Sequence, residues 1–257
     1  MKDTLRQISV IVTVLATISI NALANALPLN GLNTGQISDR FQVYFVPAGY
    51  VFSIWGVIYI GWVAYAIFQA LPTQRENPRL RATGWWVSLS GIANSAWIFL
   101  WHFEQFPLTL VAMLTLLATL VVVYQRLGTG RTSVPAAEQW AVRLPFSIYL
   151  GWITVATVAN VTSLLDYLKW DGFGIAPEIW MGIVLIAVLV IALLMIFTRR
   201  DLAYTLVILW SLVGISVKHS AVAAVAIPTW ITFALVALAL VAVIFRHRPV
   251  RNLGAAA

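Results

Sequence analysis

The sequence predicts an all-α membrane protein with eight transmembrane helices, and three observations carry that prediction. The chain is 61% hydrophobic and only 10% charged, which excludes an ordinary soluble domain. A helix needs about 20 apolar residues to cross the hydrocarbon layer. Eight stretches qualify, at 8–27, 48–71, 84–103, 108–124, 142–165, 179–197, 202–225 and 228–245. The basic residues also fall in alternate connections. With eight crossings, thirteen of them share the side of both termini, from Lys2 and Arg6 through Arg75, Arg79, Arg81, Arg126, Arg131, Arg143, Arg199, Arg200 and Arg246 to Arg248 and Arg251. Only Arg40 and Lys169 fall in connections on the other side. The positive-inside rule then puts both termini in the cytoplasm. The expected location is a bacterial inner (plasma) membrane.

The first stretch follows Lys2 and Arg6 and could pass for a signal peptide. It is longer than the usual apolar core of one, Asn21 and Asn25 interrupt its end, and no small-residue cleavage site is clear, so it is expected to remain as a helix. The segment from Pro28 to Val46 is long for a connection in a compact bundle, and its Gly and Asn residues favour turns. Loops of this kind are often lids.

The second stretch is the most informative. Residues 44–62 carry no charge but hold Tyr44, Phe45, Tyr50, Phe52, Trp55, Tyr59 and Trp62, entered through Pro47-Ala48-Gly49. A plain lipid-facing helix would be mostly Leu, Ile and Val. Aromatic rings are also at home at a membrane interface, so a lined cavity and an interfacial belt both account for this segment.

In the third stretch Asn94, Trp97 and Trp101 recur at steps of three and four and share one helical face. In the fifth, Tyr149, Trp152, Ala156 and Asn160 do the same. An amide in hydrocarbon must find a partner, either on a neighbouring helix as packing glue or on a ligand. His102 and Glu104, at the end of the third stretch, face the outer side and could join a polar mouth there.

The last three stretches are plainly apolar except at Lys218 and His219. Counted from Leu202, Lys218 lies about 24 Å along a helix, close to the outer interface, where lysine snorkels to the headgroups. An intramembrane ionisable residue is the alternative, and that would be a functional site.

Composition narrows the chemistry. Cysteine is absent, which removes disulfides and thiol catalysis. His102, His219 and His247 are too far apart to suggest a metal site. No nucleophile or paired carboxylates point to an enzyme. The pI near 10.1 reflects topology, with contact to anionic lipid expected and nucleic-acid binding not.

Three segments resemble the tryptophan-rich sensory proteins, the TspO/MBR or translocator protein family that includes the peripheral benzodiazepine receptors. Trp152-Ile-Thr-Val-Ala-Thr-Val-Ala-Asn160 is similar to the family's W-x-x-F-A-T-x-L-N, with Tyr149 on the family's tyrosine. Asn94-Ser-Ala-Trp97 is similar to its N-x-x-W, and Pro47-Ala-Gly-Tyr-Val-Phe52 to its P-P-G-W-V-F, with Trp55 and Tyr59 following. The resemblance covers the first five stretches, to about Leu165. It implies a five-helix bundle, usually dimeric, whose pocket is closed by the first loop and is associated with porphyrins, haem and sterols. Carried over to this sequence, it implies a ligand site formed by Phe45, Pro47, Trp55, Tyr59, Asn94, Trp97, Tyr149, Trp152, Ala156 and Asn160. Ala48 replaces the family's second proline, Ile148 the proline of its P-Y pair, and Phe45 a loop tryptophan, which bears on any porphyrin photochemistry. Trp55 stands three residues after Phe52, where the family has four.

The chain therefore reads as one membrane domain over 1–257, a TspO-like part over 1–165 and three additional helices over 166–257. The expected function is a receptor or sensor for a planar hydrophobic ligand, most plausibly a tetrapyrrole, with no cofactor required. The alternative is a transporter of a small hydrophobic solute, against which stand the lack of an inverted repeat and of a buried carboxylate in the helices. A retinal photoreceptor built on Lys218 would need an intramembrane counter-ion that the sequence does not offer.

Overall fold

The computed structural model describes residues 2–27 and 29–246. Pro28, His247, Arg248 and Arg251 lie outside the described residues. Among those described, every regular element is helical. The long helices are α1 (Lys2–Ala26), α2 (Ile54–Ala70), α3 (Pro78–His102), α4 (Phe106–Leu127), α5 (Leu144–Tyr167), α6 (Pro177–Arg199), α7 (Leu202–Lys218) and α8 (Ala223–Arg246).

Local chemistry sets their ends. The Asn77 side chain accepts from the backbone N–H groups of Arg79 and Leu80, and Pro78 occupies the first helical position of α3. Asp201 caps α7 through the Tyr204 N–H, and Gly128, at φ 64°, ends α4. The first loop is partly helical. At Thr34–Ser38 a short turn starts from a reciprocal pair, in which Asn33 Oδ1 accepts from the Gln36 N–H and Gln36 Oε1 from the Asn33 N–H.

By length and hydropathy six stretches can cross a membrane, those holding α1, α2, α4, α5, α6 and α8, where the sequence reading expected eight. Helix α3 has 25 residues, but its Trp, Ser, Gly and Asn residues lower its hydropathy. Helix α7 is apolar but has only 17 residues, about 26 Å against roughly 30 Å of hydrocarbon. A second correction falls in the same region. The break expected near 226–227 lies instead at 219–222, and residues 223–227 join α8, which carries Pro228 inside it. Lys218, His219 and Ser220 are the first polar run in that region, and the chain turns there.

Helices α1 to α5 form a closed bundle. Helix α1 packs on α3 and α2, α3 on α4, α4 on α5, and α2 on α5. The other three helices attach through α7, which packs on α5, while α8 packs on α6 and α7. One buried carboxylate makes the joint. Asp201 accepts from Tyr124 Oη of α4 at 2.8 Å and from Ser147 Oγ of α5 at 2.6 Å, beside its cap to Tyr204. Gly130 (φ +73°), in the connection after α4, lies so close to α6 that a Cβ there would stand 2.0 Å from the Arg199 carbonyl oxygen. Only glycine meets both conditions.

Five of the arginines gather at one end of the molecule. Arg81 pairs with Asp3, Arg79 with the buried Glu138, Arg126 donates to the Ala82 carbonyl, and Arg143 and Arg199 donate to the connection after α4. Two carboxylates are buried outside the stretches read as membrane helices: Glu138 is held by Arg79 and Asn77, and Asp201 by Tyr124, Ser147 and the Tyr204 N–H.

Candidate ligand cavity

An internal cavity of about 50 Å³ lies between α2, α3, α4 and α5 beneath the first loop. Trp55 of α2, Asn94 and Trp97 of α3, and Trp152, Ala156 and Asn160 of α5 line it, with Pro47 in its roof. The two stripes expected from spacing therefore do face each other. Trp97 stacks on Trp101 at 5.2 Å and 19°. Phe52 and Trp55 both pack edge-on against Trp152, at 5.6 and 6.1 Å, so their three-residue spacing still turns both rings inward.

The polar atoms divide into two sets. The first is consumed by the fold. Asn94 Oδ1 accepts from Asn21 Nδ2 of α1 at 2.7 Å, and Asn94 Nδ2 donates to Tyr149 Oη of α5 at 2.9 Å. This relay ties three helices together, and Asn94 has little left for a ligand. The second set is open. Trp97 Nε1, Trp152 Nε1 and Asn160 Oδ1 are buried and have no hydrogen-bond partner among the described residues, while Asn160 Nδ2 donates to Thr109 Oγ1 at 3.0 Å. A buried polar atom without a partner costs about 1–3 kcal/mol. The three residues that carry these atoms all line the cavity, so a guest that reaches them finds two donors and one acceptor.

Three expected residues lie elsewhere. Tyr149 does not line this cavity, because its hydroxyl is drawn to Asn94 beneath it. Tyr59, one turn beyond Trp55 and stacked on it at 5.6 Å, lines an adjoining cavity of about 240 Å³ with Asn21, Asn25 and Thr34. Phe45 lines an outward-facing cavity of about 240 Å³ with Tyr44, Trp170 and Trp180. Its neighbours Val46 and Pro47 both line the inner cavity, so the chain changes its facing between Phe45 and Val46.

Sequence reasoning missed the contributions of Met113 and Leu116, because α4 carries an ordinary apolar packing pattern. It also missed Ser163, which falls on the α5 stripe one turn after Asn160 and was within reach of the same argument.

Lys218 ends α7 at the end of the molecule that carries the first loop and pairs with Asp39 of that loop at 2.7 Å, so it enters neither aromatic cavity. His219 beside it packs edge-on against Tyr44, and burial, then the Lys218 charge, push its imidazole below the ordinary value. His102 is buried and bonds Thr34 Oγ1 at 3.1 Å, while Glu104 pairs with Arg40.

The fold and site define an all-helical membrane protein with an aromatic internal cavity under its first loop. The chain belongs to the TSPO-like protein family, which matches residues 7–245 and so runs through all three helices that follow the five-helix part. Comparison with characterised proteins and with solved structures gave no match.

Proposed function

We propose that this protein is a membrane receptor or sensor, and not an enzyme, that binds a planar hydrophobic ligand between α2, α3, α4 and α5. The observation that carries the reading is the set of open polar atoms, Trp97 Nε1, Trp152 Nε1 and Asn160 Oδ1, in an otherwise aromatic and apolar wall. Aromatic faces stack on flat rings, and a few convergent polar atoms fix orientation. Family membership supports a hydrophobic ligand, and the motif resemblance favours a tetrapyrrole, with a sterol-like molecule next. A pocket for a ligand of drug size holds about 300–1,000 Å³, so the cavity as it stands is a closed form. Thr34, Phe52 and Trp55 wall both it and the adjoining space, and moving them merges the two.

The test is titration of the purified protein with protoporphyrin and haem, followed by tryptophan fluorescence. Saturable quenching is expected. Trp152→Ala should weaken it by about 1–3 kcal/mol, the scale of a large buried side chain, and Trp230→Ala on the lipid-facing side of α8 should leave it unchanged. No saturable quenching, or equal loss from both changes, sinks the reading.

We also propose eight crossings with both termini in the cytoplasm. Support comes from the basic residues at one end and from the aromatic span α3 being enclosed by α1 and α4. In this cysteine-free chain, Asn77→Cys should resist a membrane-impermeant maleimide in intact cells, and Lys169→Cys, at an exposed residue, should be the outer-side probe. Labelling of Asn77→Cys from outside overturns the orientation.

A further inference from the structure

We propose that the three added helices are the latch of the cavity. They hold the second half of the first loop closed, and access requires that half to leave α7. The proposal takes the cavity of the proposed function as the site being guarded.

The first loop stands on two feet. Its first half rests on the end of α3, where Trp101 Nε1 donates to the Thr34 carbonyl at 3.2 Å, Asn30 Nδ2 donates to the His102 carbonyl at 3.1 Å, and Thr34 Oγ1 meets His102 Nε2. Its second half, with the Gly49–Ser53 turn that leads into α2, rests on α6 and α7 at four separate points. The Ala48 N–H donates to the Gly214 carbonyl at 3.1 Å, and Trp210 Nε1 to the Val51 carbonyl at 3.2 Å. Lys218 Nζ holds Asp39 at 2.7 Å, and Tyr44 Oη donates to Glu178 Oε1 at 2.8 Å.

The position of Gly214 shows how tightly this foot is seated. A Cβ there would stand 2.2 Å from Val51 Cγ2 and 3.0 Å from Pro47 Cβ. Contact this close needs a residue without a side chain. The segment so held is the cavity wall itself, since Val46, Pro47 and Phe52 line it. Lys218 and His219, unexplained as residues of a membrane helix, thus belong to a contact between loop and helix. The exposed Lys218–Asp39 pair adds little by itself. The bonds from Trp210 and to the Gly214 carbonyl hold the backbone of the cavity wall itself.

The test uses no ligand, so its failure and that of the ligand reading are separable. Ser163 lines the cavity and is buried, and the chain has no other thiol once Ser163→Cys is made. The full-length protein in lipid vesicles is treated with a small charged methanethiosulfonate, and the rate of labelling is measured. Trp210→Phe with Lys218→Met should raise that rate about tenfold, the scale of one or two lost hydrogen bonds. Gly214→Val, which wedges the foot off, should raise it further. Trp230→Phe is the control. The latch is overturned if neither change alters the rate while the fold stays intact by circular dichroism, or if Trp230→Phe raises it equally. Faster labelling with no porphyrin binding keeps the latch and removes the ligand reading.

Discussion

Helices α6 and α8 bury one narrow stripe each, whereas α5 is buried nearly all round. On α6 the buried residues are Met181, Leu185, Val188, Ala192 and Ile196, all apolar and all at steps of three or four. On α5 they include Ser147, Tyr149, Trp152, Thr157, Asn160 and Ser163, spread over most of the surface. The difference teaches where hydropathy stops being informative. A helix whose other faces meet lipid must be apolar, and α6 has mean hydropathy 3.1. A helix enclosed by other helices can carry hydroxyls, amides and indoles, provided partners exist. For that reason α3, which holds Asn94, falls outside the six stretches picked out by hydropathy, although it lies between α1 and α4. Helix α7 is the exception among the added three. Ten of its 17 residues are buried, because it packs on α5, on α8 and on the segment at Ala48 and Val51.

The contrast can be broken at the joint. Asp201 is 7% exposed and serves three donors on three helices. Asp201→Ala removes a helix cap worth about 1 kcal/mol and leaves the Tyr124 and Ser147 hydroxyls short of an acceptor, about 3 kcal/mol in all. Thermal unfolding in detergent should show a clear drop. Trp230→Ala, at a ring that is 45% exposed on α8, should shift it little. If the two variants unfold alike, the added helices are not joined to the bundle through this carboxylate.

The general architecture was legible because lipid is an undemanding solvent. Any span it touches must be a long apolar run, and such runs can be counted. Helical spacing also identified which residues of α3 and α5 share a face. It could not identify the partner of each polar atom, since that depends on the rotation and depth of the neighbouring helices. Asn21 was visible as an interruption of α1, but nothing local to it points to Asn94, 73 residues away. Phe45 lines a different cavity from its neighbours Val46 and Pro47, and no local pattern announces that split. The early end of α7 was readable in Lys218-His219-Ser220. The capping pair Asn33–Gln36 was readable too, as an Asn followed three residues later by Gln. The small volume of the cavity was not readable at all, because it results from side chains packing across four helices.

The finest form of the comparison lies inside the cavity, between two asparagines that look alike in sequence. Asn94 uses both ends of its amide within the relay from Asn21 to Tyr149, whereas Asn160 uses only its Nδ2. Interhelical hydrogen bonds in membranes average about 0.6 kcal/mol and reach about 1.7. Asn94→Leu loses two of them and leaves the buried Tyr149 hydroxyl without its donor, so it should lower stability by about 1–2 kcal/mol. Its effect on porphyrin affinity should be no larger than that loosening explains. Asn160→Leu loses a single interhelical bond and should cost about 0.6 kcal/mol in stability. It also removes an open acceptor from the wall, so affinity for a ligand that donates a hydrogen bond should fall about tenfold, the scale of one directional contact. Unfolding and fluorescence titration on both variants read the two quantities separately. If Asn94→Leu changes affinity with stability intact, or Asn160→Leu leaves affinity untouched, the division of these amides into structural and ligand-facing is wrong.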